Sequence, residues 1–227
     1  IWKHEWVPFG RHHARQQEPI LHDGKVIFLK TVAKNLSIEA TTKEGAKPLG
    51  RDKKYWTRLH AFDLATGDVE WVAESATSVH SASLMNQTIE GTPAILTGRG
   101  GGHQPPEEPY GLSLIDANSG NTIWDLPISG YAAHQNTVWR GNRGTLFAGM
   151  QHHLIDMQEG TLQERTSLLE NVHLRQYKDG KYVSTSMTNL PASKKKKPIT
   201  YHTNCLIGDY HYFRTHNDFY LGRVNIL

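Results

Sequence analysis

The stretch LSLIDANSGNTIW, residues 112–124, decides the fold of this chain. Leu112, Leu114 and Ile115 are apolar and suit a strand, whereas Asp116 to Gly120 supply residues that favour a tight turn. A second strand then begins at Ile123–Trp124. The stretch therefore predicts a β-hairpin.

The same pattern occurs twice more along the chain. LHAFDLATGDVEW, residues 59–71, repeats it 53 residues earlier with the Asp, the Gly and the Trp in register. HLIDMQEGTLQE, residues 153–164, repeats it 40 residues later, but Glu164 stands where Trp is expected. Repeats of roughly 40 to 50 residues that each contain a hairpin favour a β-propeller of four-stranded blades.

Three residue types of the repeat have predicted structural roles. The aspartates should accept hydrogen bonds from turn N–H groups, and the glycines should permit a positive φ. The tryptophans should wedge between neighbouring blades and donate through the indole N–H. The residues concerned are Asp63, Asp116, Asp156, Gly67, Gly120, Gly160, Trp71 and Trp124.

The pattern Asp-x-x-Thr/Ser-Gly-x-x-x-Trp after an apolar strand resembles the tryptophan-docking motif of the PQQ-like propellers. This superfamily includes the quinoprotein alcohol dehydrogenases and the outer-membrane assembly lipoprotein propellers. The resemblance implies a propeller and an extracytoplasmic, periplasmic location. It also brings PQQ into consideration as a cofactor. Quinoprotein dehydrogenase sites carry adjacent cysteines, whereas this chain has only Cys205, so the cofactor stays unknown.

The two ends of the chain look like the two parts of one further motif. Trp2 resembles the end of a docking motif, and Asn225 takes the position of the Asp. One hypothesis is that an N-terminal strand, residues 1–8, completes the last blade and removes an exposed sheet edge. The alternative is a half-ring that a homodimer completes to eight blades.

The chain is predicted to form a single domain, residues 1–227, of four blades. The predicted blades are residues 9–74, 78–127, 131–166 and 167–227. Loop insertions are expected at 32–58 and 167–198, and a short helix is the one alternative to strand over 162–172.

A histidine precedes the first inner strand of each blade after the first, and the corresponding place in blade one holds an Arg and two His. Equivalent residues of successive blades form a ring around one mouth of a propeller channel, where they would bind an anion or a metal. A repeated structural role is the competing interpretation. The candidate residues are Arg11, His12, His13, His80, His134, Asn136, His202 and Asn204.

The insertion Gly98-Arg99-Gly100-Gly101-Gly102-His103 is the other candidate ligand contact. It lacks the Gly-Lys-Ser/Thr of a phosphate-binding loop, so Arg99 and His103 are predicted as contacts from a flexible loop. No His-x-His or His-Glu-x-x-His spacing predicts a metal site.

Composition excludes several other classes of protein. No apolar run approaches the roughly 18 residues of a membrane helix. The run Lys194–Lys197 is interpreted as a solvated loop tip, and nucleic acid is not an expected partner. The single cysteine, Cys205, cannot form an internal disulfide and is expected to be buried.

Two functions follow from these features. The first is a non-catalytic binding module that holds a protein or a small polar ligand on its loop face. The alternative is a divergent quinoprotein-like oxidoreductase or another enzyme, with the His and Arg residues at the channel mouth. Fold alone does not decide between them.

Overall fold

A computed structural model describes the chain in ten segments. They are residues 1–4, 18–31, 57–77, 85–99, 111–128, 137–148, 151–167, 170–189, 204–214 and 220–227. The chain divides into two compact units, residues 1–129 and residues 130–227. The prediction of a single domain stays a prediction.

The first unit contains two antiparallel sheets whose strands follow one another in chain order. Sheet 1 consists of β1 (Ile20–His22), β2 (Lys25–Thr31), β3 (Thr57–Asp63) and β4 (Val69–Ala76). Sheet 2 consists of β5 (Met85–Ile89), β6 (Thr92–Arg99), β7 (Gly111–Asp116) and β8 (Thr122–Pro127). Each sheet is the meander of a propeller blade.

The second unit contains one similar sheet and one that is larger. Sheet 3 consists of β9 (Thr137–Arg140), β10 (Arg143–Ala148), β11 (Gln151–Asp156) and β12 (Thr161–Ser167). Sheet 4 consists of β13 (Glu170–Lys178), β14 (Lys181–Asn189), β15 (Cys205–Ile207), β16 (Tyr210–Arg214) and β17 (Tyr220–Asn225). Its strand order is β14-β13-β17-β16-β15.

The prediction of an all-β, propeller-type fold is confirmed by these four antiparallel sheets. Every described secondary-structure element is a strand. No helix in the described segments is long and apolar enough to cross a bilayer.

The core lies on the middle strands of each sheet. Ile95, Leu96, Leu112, Leu114 and Ile115 in β6 and β7 are completely or almost completely buried. Both strands are near-continuous apolar runs because both of their faces are covered. The outer strand β8 instead alternates buried and exposed residues, as a strand with one covered face does.

The Asp–Gly turns link β3 to β4, β7 to β8 and β11 to β12. Asp63 Oδ1 accepts hydrogen bonds from the N–H groups of Ala65 and Thr66 at 2.9 and 2.6 Å, and these bonds lower the pKa of its carboxyl, the Thr66 N–H first among them. Asp116 and Asp156 accept equivalent bonds. The glycine in each turn has a φ between +65° and +80°.

A second contact recurs in all four sheets. The residue after the turn Asp, or after Asn225 in sheet 4, donates its backbone N–H to a carbonyl in the turn before the second strand of its meander or at the start of that strand. The four donors and acceptors are Leu64 and Gly24, Ala117 and Pro93, Met157 and Asn142, and Ile226 and Asp209. Ile226 follows Asn225, so sheet 4 has the same backbone arrangement as the other three.

Two tryptophans lie on the glycines of these turns in the first unit. Trp2 donates through Nε1 to the carbonyl of Leu64 at 3.0 Å, and a Cβ at Gly67 would lie 2.5 Å from its ring. Trp71 of sheet 1 lies on Gly120 of sheet 2, where a Cβ would be 2.6 Å from the indole. The indole nitrogen of Trp71 is buried and has no hydrogen-bond partner among the described residues.

Sheet 4 differs from the sequence-based expectations in two ways. The helix considered over 162–172 is wrong, because β12 and β13 occupy that region. Much of the loop insertion expected at 167–198 is a hairpin, because Asp179 and Gly180 adopt positive φ and turn β13 into β14.

The N-terminal segment was predicted to pair beside β17. Residues 1–4 form no strand, and residues 5–8 lie outside the described segments. In sheet 4 one edge of β17 pairs with β16, and the other pairs with β13, with His173 opposite Arg223. The outer position in this sheet is therefore filled from residues 170–178.

Candidate functional site

Most residues of the predicted channel-mouth ring lie outside the described segments. They are Arg11, His12, His13, His80, His103, His134, Asn136 and His202. Their predicted role in ligand binding stays a prediction. The described candidates are Arg99 and Asn204.

Arg99 belongs to a buried polar network in the first unit. Its Nη1 lies 3.2 Å from Asp125 Oδ2, and the residue is only 7% exposed. Asp125 Oδ1 also accepts hydrogen bonds from Ser75 at 2.8 Å and from Ser113 at 2.7 Å. The guanidinium charge is thus compensated within the protein, by a carboxylate that is itself partly exposed.

Asn204 is also buried, with 8% of its surface exposed, directly before β15. The predicted contacts Arg99 and Asn204 therefore both lie in the protein interior. Neither is part of an open surface.

A different group of polar side chains comes together on the exposed face of sheet 4. Cross-strand pairing places His173 of β13 opposite Arg223 of β17, and Arg223 opposite Tyr212 of β16. It likewise places Arg175 opposite Ser184 of β14. Since directly paired residues share one face of a sheet, these side chains form one surface, which we call the cation–tyrosine face.

A cavity of about 320 Å³ lies in this face. His173, Arg175, Arg223, Ser184 and Tyr212 are among the residues that line it. Its volume is at the lower end of the range of small-molecule sites.

The two arginines of the cavity contact tyrosine rings. The guanidinium of Arg223 lies 4.3 Å from the ring centroid of Tyr210, and that of Arg175 lies 5.6 Å from the ring centroid of Tyr182. These are cation–π distances. Such a contact orients a guanidinium without neutralising its charge, so it can still bind an anion.

Acidic residues are almost absent from the strands of sheet 4. Glu170, the first residue of β13, is the one acidic residue in the five strands. No carboxylate of the described residues forms an ion pair with Arg175 or Arg223. The surface therefore has an uncompensated positive charge, in contrast to Arg99.

His173 adds a histidine to this face. Its Nδ1 lies 2.8 Å from the hydroxyl of Ser186. This hydrogen bond to Ser186 orients the imidazole on the face.

Cys205 pairs with Tyr212 in the same sheet and is exposed. The expectation of a buried thiol is wrong. The short strand β15 lies at the edge of sheet 4, where its first residue is open to solvent.

The opposite face of sheet 4 carries a second, buried cluster. His211 Nδ1 lies 2.7 Å from the hydroxyl of Thr145 and 3.3 Å from His152 Nε2, and the rings of Phe147 and Phe213 pack around them. Burial lowers the pKa of His152 to about 4 and that of His211 well below 6.5, with a neighbouring His as the second cause in each. Both imidazoles are therefore neutral at pH 7.

This cluster lacks the ligands of a typical metal site. Within the described residues no group of three or more His, Cys, Asp and Glu could hold a metal ion. The cluster instead packs sheet 3 against sheet 4.

The sequence contains a signal for the cation–tyrosine face that the sequence analysis missed. Polar and aromatic residues alternate with period two in His173-x-Arg175-x-Tyr177 and in Tyr182-x-Ser184-x-Ser186. Such alternation is typical of a strand with one solvated face.

No protein-family model and no curated protein sequence matches the chain. Several solved structures are similar to it at low sequence identity. BamB from Moraxella catarrhalis is 13% identical with a TM-score of 0.45, and the match covers 92% of this chain and 43% of BamB.

Two computationally designed proteins are similar at the same level. Ika4 is 9% identical with a TM-score of 0.49, and the match covers 100% of both chains. Ika8 is 11% identical with a TM-score of 0.41, and the match covers 92% of this chain and 57% of Ika8. The chain thus spans less than two thirds of the length of BamB and of Ika8.

Proposed function

We propose that this chain is a non-catalytic binding module of the PQQ-like propeller type, and that it binds an anionic ligand on the cation–tyrosine face. The observation that carries the proposal is the pair Arg175 and Arg223 at one cavity, where no carboxylate of the described residues forms an ion pair with either guanidinium. An extracytoplasmic location is part of this proposal through the resemblance of the repeats.

The chemistry of the cavity suits a carboxylate, sulfate or phosphate group. Guanidinium groups bind such anions through paired N–H donors. Ser184 and Tyr212 add hydroxyl groups that can donate to the same anion. Leu221 adds an apolar contact to the lining, so an anion joined to an apolar or aromatic group would use the whole surface.

The predicted enzyme has no further support, because Arg11, His12, His80, His134 and His202 lie outside the described segments. Ligand binding on the loop face and completion of an eight-bladed ring by a homodimer both stay predictions.

Isothermal titration with citrate, inorganic phosphate and sulfate tests the proposal. We expect saturable binding of at least one anion by the whole chain. Arg223→Gln should weaken that binding about tenfold, since one charge-assisted bond contributes on the order of 1.5–3 kcal/mol.

Lys178→Gln combined with Lys181→Gln is the matched control. Both lysines lie at the turn of the β13–β14 hairpin, so the control removes charge from the same sheet but not from the cavity. Its affinity should stay close to that of the unmodified chain. Absence of binding to all three anions, or equal losses in control and Arg223→Gln, would overturn the proposal.

A further inference from the structure

β14 is the longest edge strand in the described part of the chain. It comprises nine residues, and its one described neighbour is β13. Along its other side, alternate backbone N–H and C=O groups have no strand partner in the described part of the chain. An open edge of this kind can pair with another strand.

The outer strands of the other three sheets carry residues that discourage such pairing. Charged side chains and proline on an edge strand are common devices against association. The residues of this kind in β4, β8 and β12 are Glu70, Glu74, Asp125, Pro127, Glu164 and Arg165.

β14 lacks these protective residues. Its sequence is KYVSTSMTN, and its one charged residue is Lys181 at the first position. The remaining residues include Tyr, Val, Ser and Thr, and the sequence contains no proline or glycine. Among the four outer strands β4, β8, β12 and β14, this is the composition best suited to strand pairing.

The hairpin also exposes large side chains. Tyr177 is 63% exposed, Tyr182 is 60% exposed and Val183 is 41% exposed. A strand added beside β14 would cover part of this surface. Burial of apolar area would then add to the backbone hydrogen bonds.

The charge pattern of β14 favours a second copy of β14 as the partner. In an antiparallel pair whose two-fold axis passes through Thr185, the two Lys181 residues lie at opposite ends, about 26 Å apart at 3.3 Å per residue. An axis through Thr185 places Ser184 opposite Ser186, and cross-strand pairs of hydroxyl residues are favourable.

We infer that two copies of this chain associate through β14, antiparallel about a two-fold axis. Each sheet 4 then continues into the sheet 4 of the other copy. The contact is isologous, because each copy contributes the same strand. This dimer is formed by strand addition and is distinct from a ring completed by two half-propellers.

Sedimentation velocity over a range of concentrations tests the inference on the whole chain. We expect a concentration-dependent dimer. Thr185→Lys should shift the equilibrium towards monomer, because it places two like charges opposite each other at the axis.

Gln176→Lys is the matched control. Gln176 lies on the interior strand β13, is exposed, and pairs with Val183 of β14. The substitution therefore adds the same charge to the sheet without placing it on the edge strand. Its dimer should dissociate no more readily than that of the unmodified chain. A chain that stays monomeric, or a dimer that Thr185→Lys leaves unchanged, would overturn the inference.

A covalent test locates the contact independently. Thr185→Cys combined with Cys205→Ser should form a disulfide-linked dimer under mild oxidation, because opposed residues of antiparallel strands lie about 4.5–5.5 Å apart at Cα. Ile207→Cys combined with Cys205→Ser places the cysteine on the distant edge strand β15 as a control. Equal cross-linking of the two variants would contradict pairing through β14.

Discussion

The contact between sheets 1 and 2 and the contact between sheets 3 and 4 are made in different ways. In the first unit the Trp71 ring packs on Gly120. The hydroxyls of Ser75 and Ser113 donate hydrogen bonds to the Asp125 carboxylate in the same pair of sheets. A large aromatic ring and a charged polar network therefore share one contact.

In the second unit Glu164 takes the sequence position of the tryptophan. Sheet 3 instead meets sheet 4 through Phe147 and Phe213, whose ring centroids are 4.6 Å apart, and through the His152–His211 pair. The guanidinium of Arg143 also donates to the carbonyl of Ile226 at 2.9 Å.

The two units share the contacts within each hairpin but differ in the side chains that pack between their sheets. The Asp turn recurs in sheets of both units because the Asp side chain accepts hydrogen bonds from N–H groups of its own turn. The N–H to carbonyl contact recurs because it joins backbone groups. The side chains between the sheets differ, because different sets of side chains can fill a similar volume.

The largest expected effect is on the aromatic contact of the second unit. Phe147→Ala should lower the free energy of unfolding by about 3–5 kcal/mol, because it removes a ring that is 1% exposed. Urea unfolding measures the change. Phe147→Leu keeps most of the volume and should cost much less, so equal losses would mean that Phe147 does not fill the contact.

The histidine pair should make the second unit sensitive to acid. The pKa of His152 is lowered to about 4 in the folded chain and is about 6.5 when unfolded. The contribution of neutral His152 to the free energy of unfolding is therefore fully present above pH 6.5. It falls by about 1.4 kcal/mol per pH unit as the pH drops from 6.5 towards 4.

Urea unfolding of the unmodified chain and of His152→Gln at pH 7 and pH 5 isolates this effect. The unmodified chain should lose on the order of 2 kcal/mol more than the variant between these values. If both lose the same amount, protonation of His152 does not contribute to the acid sensitivity.

The tryptophan contact of the first unit is measured as a difference between two glycine variants. Gly120→Ala places a Cβ 2.6 Å from the Trp71 ring, at a φ of +76°. Gly24→Ala is a control with a φ of +70° and no atom within 4 Å of the added Cβ. Both variants strain the backbone by about 1–2 kcal/mol.

The excess loss in Gly120→Ala over Gly24→Ala measures the tryptophan contact. We expect an excess of about 1–3 kcal/mol by thermal or urea unfolding, the usual cost of overpacking. Equal losses would show that Trp71 moves away from Gly120 without cost.

The repeated hairpins were predictable from the sequence because their determinants are local. Asp63 and Gly67 are four residues apart, and the hydrogen bonds that Asp63 Oδ1 accepts and that the Gly67 N–H donates stay within the turn. The buried strands β6 and β7 were predictable for the same reason, since their apolar runs lie between turn residues.

The cation–tyrosine face was not predicted because it depends on a distant pairing. His173 meets Arg223 only because β13 lies beside β17, and no local pattern shows which strand a hairpin will join. The same uncertainty led to the expectation of a loop insertion over 167–198. Arg99 was predicted as a ligand contact from its glycine-rich surroundings, which contain no sign of its partner Asp125.

The pairing of β13 with β17 has a consequence for the order of folding. His173 meets Arg223, which follows it by 50 residues, whereas the other three sheets pair only consecutive strands. In this respect sheet 4 is a circular permutation of its neighbours, with its outer strand made before its inner ones. During synthesis the β13–β14 hairpin must wait for β15, β16 and β17, so sheet 4 should be the last of the four described sheets to form.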